Sequence, residues 1–220
     1  MNASSSTEPR APVRAEVLRE SEQLDPRDAV ALDERSSIDG LLALLVTDLE
    51  GFTALVQRLG DRDACSVMGA HNRLLRECLR ANRGREVTHT GDGVIAAFRS
   101  VSAALETASE VQRSFAAHTR ANPRAPLRAR IGVHVGEPLP YDGRLFGTCV
   151  NTAVRVCAAA PAECVLVTDL AWQCAAGSAF RFADHSQVAL KGLREPMQLH
   201  ELLWHPQVGP PPHVSRSAPS

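Results

Sequence analysis

The stretch Val87–Phe98, VTHTGDGVIAAF, decides how the chain folds. Two short apolar runs flank an acidic Gly-Asp-Gly turn, and Asp-Gly is a favoured pair at the tip of a two-residue β-hairpin. The spacing therefore predicts antiparallel strands on either side of Asp92. The same aspartate has a second reading. A hairpin tip holds a carboxylate in place, so Asp92 is either a turn residue or a ligand presented for binding.

Working outward, LLALLVTD (41–48) is an apolar run ending in an acid and predicts a buried strand. A helical pattern follows Gly51, with Val67, Met68, His71, Leu75, Cys78 and Leu79 on one face. Beyond the hairpin, Val101, Ala104, Leu105, Ala108, Val111 and Phe115 mark a second helix. LRARIGVHVGEP alternates as a strand, CVNTAVRVCAAA reads as a helix and CVLVT as a strand; SQVALKGL and MQLHELLW close the domain as strands. The order is β-α-β-β-α-β with an additional αβ region, an α+β, ferredoxin-like arrangement with helices packed on a sheet. Residues 1–39 read as a flexible leader, 40–204 as the folded domain, and 205–220 as a disordered Pro-rich tail.

Composition excludes several classes. Charged residues make up 22% and the net charge is −1, so no basic excess points to nucleic acid. The longest aliphatic run, Leu41–Val46, is too short to span a bilayer, and the N-terminus lacks the apolar core of a signal peptide. The expectation is a cytoplasmic protein with no membrane partner. Its six cysteines show no zinc-ligand spacing and are expected to be reduced, small core residues.

In a β-α-β-β order the first strand and the hairpin can lie side by side, which would bring Asp48 and Asp92 together. Two ionised carboxylates at close range repel unless a cation sits between them, and Mg2+ suits such an oxygen pair. Gly51 lets the backbone pass closely, and the helix start after it offers N–H groups to a phosphate. Asp48 taken alone is also an N-cap residue type.

Five segments carry a family resemblance: VTDLEGFT (46–53), HTGDGVIAAF (89–98), RIGVHVGEP (130–138), LFGTCVNTAVR (145–155) and VALKGLREPMQLHELL (188–203). In this order they resemble the class III nucleotidyl cyclase catalytic domain, the adenylate and guanylate cyclase family, over roughly residues 41 to 204. The resemblance implies an enzyme that converts a nucleoside triphosphate to a 3′,5′-cyclic nucleotide and pyrophosphate with two divalent ions, Mg2+ or Mn2+. Asp48 and Asp92 match the metal-binding aspartates, with the Leu49 carbonyl as a further metal ligand. Asn151 matches the asparagine that orients the ribose, and Arg155, on the same helix face, the arginine that stabilises phosphate charge. Taken singly, Asn151 is also a cap type and Arg155 a solvated charge. Gly51, Phe52, Thr53 and, more remotely, Lys191 fall in nucleotide-binding segments. Family domains act as dimers with shared sites; this chain carries both halves, so the resemblance implies a homodimer.

The base-selecting positions depart from the family pattern. Adenylate cyclases carry lysine and aspartate, and guanylate cyclases glutamate and cysteine, where this chain has Thr88 and Arg144. Arginine only donates hydrogen bonds, so it suits a base edge rich in acceptors and disfavours the adenine amino group. A displaced loop would instead offer Asp142. The sequence leans toward UTP or CTP, as in bacterial pyrimidine cyclases that signal phage infection, with ATP as the rival substrate. A cyclase-like module that binds nucleotide or only dimerises is the alternative from another class. A diguanylate cyclase is excluded by the missing G-G-[DE]-[DE]-F signature. His89 is read as a wall residue of the site. The sequence does not identify the activator or the downstream cyclic-nucleotide receptor.

Overall fold

The computed structural model describes residues 40–141 and 144–205. The leader, the tail beyond His205 and Asp142 lie outside the described residues. The first strand, β1 (Leu42–Leu49), is the apolar run expected from LLALLVTD and is buried along almost its whole length. It is flanked on both sides by antiparallel neighbours: β3 (Gly93–Phe98), the second arm of the hairpin that begins with β2 (Arg85–His89), and β4 (Ala129–Gly136). With β7 (Val165–Thr168), β8 (Phe182–Val188) and β9 (Met197–Leu202), the sheet runs β2-β3-β1-β4-β7-β9-β8. Its first four strands are the β-α-β-β-α-β unit predicted from the sequence, and the remaining three are the additional αβ region. Only β4 and β7 run parallel. The other adjacent strands of this sheet are antiparallel, and burial comes from helices on both faces.

Strand residues alternate between the two faces. One face carries Ala43, Leu45, Ala96, Phe98, Ile131 and Val133, packed against the helices α2 (Asp61–Ala81) and α3 (Val101–Ala121). The predicted stripes do this packing: Val67, Leu75, Cys78 and Leu79 on α2, and Ala104, Leu105, Ala108, Val111 and Phe115 on α3, are all buried. The single helix expected after Gly51 is two. Helix α1 (Phe52–Leu59) stops at Gly60, whose φ of 80° breaks the helical path before α2 begins. The helix α5 (Asp169–Cys174) packs into the same core through Ala171.

The opposite face holds α4 (Thr148–Ala159), seated in a trough made by two glycines of β4. A Cβ on Gly132 would lie 2.3 Å from the Cys157 nitrogen, and one on Gly136 would lie 2.4 Å from the Cys149 Cβ. Cys149, Ala153 and Cys157 fall one helical turn apart, so α4 runs along β4 with its small residues inward. Two short strands, β5 (Leu139–Tyr141) and β6 (Arg144–Phe146), pair where the sequence was read as a loop.

The hairpin tip differs from expectation by one residue. The Thr90 N–H donates to the Gly93 carbonyl at 2.8 Å, so the residues between them are Gly91 and Asp92. Gly91 supplies the positive φ, 90°. Gly93 is required for a different reason: a Cβ there would meet the Thr47 carbonyl at 2.5 Å. Of the six cysteines, Cys78 and Cys157 are buried, but Cys65 and Cys174 are exposed and Cys149 and Cys164 half-buried, so the core role holds for two.

Candidate active site

The sheet register brings the two aspartates onto adjacent backbones. Asp48 lies opposite Gly93 across β1 and β3, and the next rung is a bond from the Leu49 N–H to the Asp92 carbonyl, 3.2 Å. Asp48 therefore sits near the end of a strand and does not cap a helix. The N-cap of α1 is Gly51, in the left-handed region at φ 71°. No side chain caps α1, so the first amides of this helix, at Phe52 and Thr53, point past Gly51 without a side-chain acceptor. Phe52 packs on the core while Thr53 is exposed. Leu49, proposed to lend its carbonyl, is flanked by both aspartates.

Asp48 has a partner that sequence reading missed. Arg130 faces it across the β1–β4 register and donates to its Oδ2 from both Nε (2.7 Å) and Nη2 (2.5 Å). Oδ1 of Asp48 and the carboxylate of Asp92 accept no hydrogen bond among the described residues. Hard carboxylate oxygens with open lone pairs on neighbouring strands fit Mg2+ or Mn2+. The donor set matches the expected cofactor in kind. Arg130 opens the RIGVHVGEP segment, but only the register shows what it faces.

The hairpin is tied to α2. Glu86 accepts from Arg76 Nε at 3.1 Å and lies 3.3 Å from His89 Nδ1. The hydrogen bond from His89 and the Arg76 guanidinium hold its carboxyl down at about 2. His89 is thus a brace of the hairpin and not simply a wall. A register shift between Glu86 and Thr88 leaves Thr88 opposite Ile95. In turn Ile95 faces Val46, so Thr88 shares the α4 face of the sheet with Asp48. Strand β6, which carries the exposed Arg144, comes against β2, which carries Thr88. The two base-selecting positions are therefore on neighbouring elements.

Asn151 and Arg155 lie one turn apart on the exposed stripe of α4, opposite the stripe that grips β4. Among the described residues neither side chain makes a hydrogen bond or ion pair. Asn151 caps nothing: the N-cap of α4 is Gly147. Lys191 is exposed in the turn between β8 and β9, next to Leu190, which packs under Val156 and Ala160 of α4. The register sets the backbones of Asp48 and Asp92 side by side, with Asp48 three residues before Gly51 at the uncapped start of α1, and Asn151 and Arg155 are exposed on α4.

An antiparallel β2-β3-β1-β4 core, with Asp48 near the end of β1 and Asp92 in the adjacent hairpin turn, belongs to an α+β domain. The family profile described as "Adenylate and Guanylate cyclase catalytic domain" matches residues 37–203, and the chain belongs to this family. An adenylate cyclase of Streptomyces coelicolor (strain ATCC BAA-471 / A3(2) / M145) is 31% identical over 135 residues, which are 61% of this chain and 34% of the relative. The crystal structure of an adenylate/guanylate cyclase/hydrolase from Silicibacter pomeroyi superposes with a TM-score of 0.68 at 28% identity, covering 74% of this chain and 96% of that one. A Trypanosoma brucei adenylate cyclase, analysed in its monomeric state, shares the fold at TM-score 0.67 and 24% identity, covering 74% and 89%. The chain spans about a third of the length of the first curated relatives it matches. No described helix is long and apolar enough to cross a membrane.

Proposed function

We propose that this chain is a nucleotidyl cyclase that turns a nucleoside triphosphate into a 3′,5′-cyclic nucleotide and pyrophosphate. The observation that carries the reading is the register that sets Asp48, near the end of β1, against the hairpin turn holding Asp92, with the uncapped start of α1 close by in the chain. In the reaction the ribose 3′-oxygen bonds to the α-phosphorus, the bond from that phosphorus to the β-phosphate oxygen breaks, and the hydroxyl proton passes to water. Two divalent ions, Mg2+ or Mn2+, would lower the cost of ionising that hydroxyl and of the charge on the leaving pyrophosphate. Asp48 and Asp92, with the Leu49 carbonyl, would hold them, and the amides of Phe52 and Thr53 after Gly51 would face the phosphates.

Asn151 would orient the ribose and Arg155 would offset phosphate charge with its guanidinium fork. Both point outward on α4, which supports a homodimer in which each site takes its aspartates from one protomer and its Asn/Arg pair from the other. Leu139, Tyr141 and Phe146 on β5 and β6 are 63%, 75% and 65% exposed, an apolar surface of the kind that partner contacts cover. Lys191 is available to the triphosphate from the same side of the sheet as α4.

Thr88 and Arg144 favour a pyrimidine triphosphate, UTP or CTP, and with it a signalling role in phage defence. The Streptomyces coelicolor relative, named an adenylate cyclase, favours ATP as the second reading. Incubating the purified chain with Mn2+ and each of ATP, GTP, CTP and UTP separates them. Cyclic UMP or cyclic CMP as the main product is the expected result. Cyclic AMP alone would overturn the base assignment, and no cyclic product from any of the four would leave a non-catalytic module.

A further inference from the structure

The contact between Arg130 and Asp48 has a consequence for how the site handles free metal. Both donated hydrogen bonds land on one carboxylate oxygen, Oδ2, and the other, Oδ1, stays open. The guanidinium is delivered by the β1–β4 register, not by a mobile loop, so it stands at this carboxylate whenever the sheet is formed. Its remaining nitrogen, Nη1, lies 3.5 Å from the Ala158 carbonyl in the last turn of α4. The pair is about one-third exposed, with 34% of the arginine side chain and 29% of the aspartate reached by solvent. An ion pair of this exposure is weak in net terms and exchangeable. Asp92 lies across the backbone from Leu49, and Glu50 follows Leu49 in the chain.

We propose that Arg130 is the resident counter-cation of the metal-free site. It neutralises Asp48 through Oδ2 until a divalent ion takes over that charge, and so sets how tightly free metal binds. This inference rests on the reading that Asp48 and Asp92 hold metal. Arg130 acts on the metal through Asp48 and through its own positive charge, which opposes a second cation at Oδ1.

The test uses the full chain, without nucleotide, titrated calorimetrically with MnCl2 and melted with and without it. The variants are Arg130→Gln, Arg130→Met, Arg130→Lys and Asp48→Asn. Removing the charge in Arg130→Gln should tighten Mn2+ binding roughly three- to tenfold. The metal-free variant should melt below wild type and gain more from Mn2+ than wild type does. Arg130→Met keeps the aliphatic stem and should match it, which covers the case in which Arg130→Gln fails to fold. Arg130→Lys keeps the charge and should stay within about twofold of wild type. Unchanged or weaker Mn2+ binding in both folded neutral variants would overturn the proposal, provided Asp48→Asn still loses Mn2+ binding. If Asp48→Asn binds Mn2+ as wild type does, the metal reading itself is overturned.

Discussion

His134 lies on β4, its Nδ1 3.1 Å from the Thr168 hydroxyl, and burial pushes its imidazole down to about 4. His71, whose ring tilts against Phe115 at a centroid distance of 5.3 Å, is also depressed by burial. Its Nε2 finds no hydrogen-bond partner among the described residues. Both rings fold neutral, whereas in the unfolded chain they titrate near the ordinary 6.5. Below that value the unfolded state takes up protons that the folded state refuses, so stability falls with pH. For His134 the loss runs from about 6.5 down to about 4 and then levels off. Glu86, held at about 2, acts in a lower window: its contribution is intact above about 4.5 and is lost as pH falls toward 2. Urea unfolding at pH 7 and pH 5 therefore reports chiefly on imidazoles. Lower stability at pH 5 is expected, and His134→Gln should shrink the difference. Equal stability at the two pH values would show that these rings carry no linkage.

At the scale of elements, the position of α4 depends on the absence of side chains at Gly132 and Gly136. Gly132→Ala forces a methyl against the backbone nitrogen of Cys157, a contact that no rotamer relieves, and should cost about 1–3 kcal/mol. Because α4 carries Asn151 and Arg155 while β1 and the β2–β3 turn carry the aspartates, cyclase turnover should fall at least about tenfold while Mn2+ binding persists. Gly69→Ala is the control, since nothing lies within 4 Å of its added Cβ on α2. It should be neutral or slightly stabilising. Equal losses in the two variants would detach activity from the α4 trough.

The elements also show what the sequence could carry. Apolar period fixed β1, α2, α3 and β4, because each buries a face that only one register can hide. The α1–α2 break at Gly60, the pairing of β5 with β6 and the one-residue offset of the hairpin turn were not legible, since they depend on backbone angles and on what packs above. For the site, Asp48 and Asp92 stood out through the acid at a strand end and the acid at a tip. Arg130 did not: on a strand it is one more alternating polar residue, and its meaning comes from the neighbour that the register supplies.

For the whole molecule, the proposed reaction draws on two sets of side chains on different elements. The carboxylate pair sits at the C-terminal end of β1, while Asn151 and Arg155 face outward from α4. In the proposed homodimer each chain would contribute half of each site, and two copies related by a two-fold axis would complete two. The outward stripe of α4 and the exposed apolar side chains of β5 and β6 are the features on which the proposed second copy rests.

The most direct measurement mixes two inactive variants, Asp48→Asn and Arg155→Ala, and follows cyclic nucleotide formation. Each alone should be silent, and after subunit exchange the mixture should recover about one quarter of wild-type activity, because half of the dimers are mixed and each mixed dimer has one intact site. A mixture that stays silent while mixed dimers form would contradict the shared-site account.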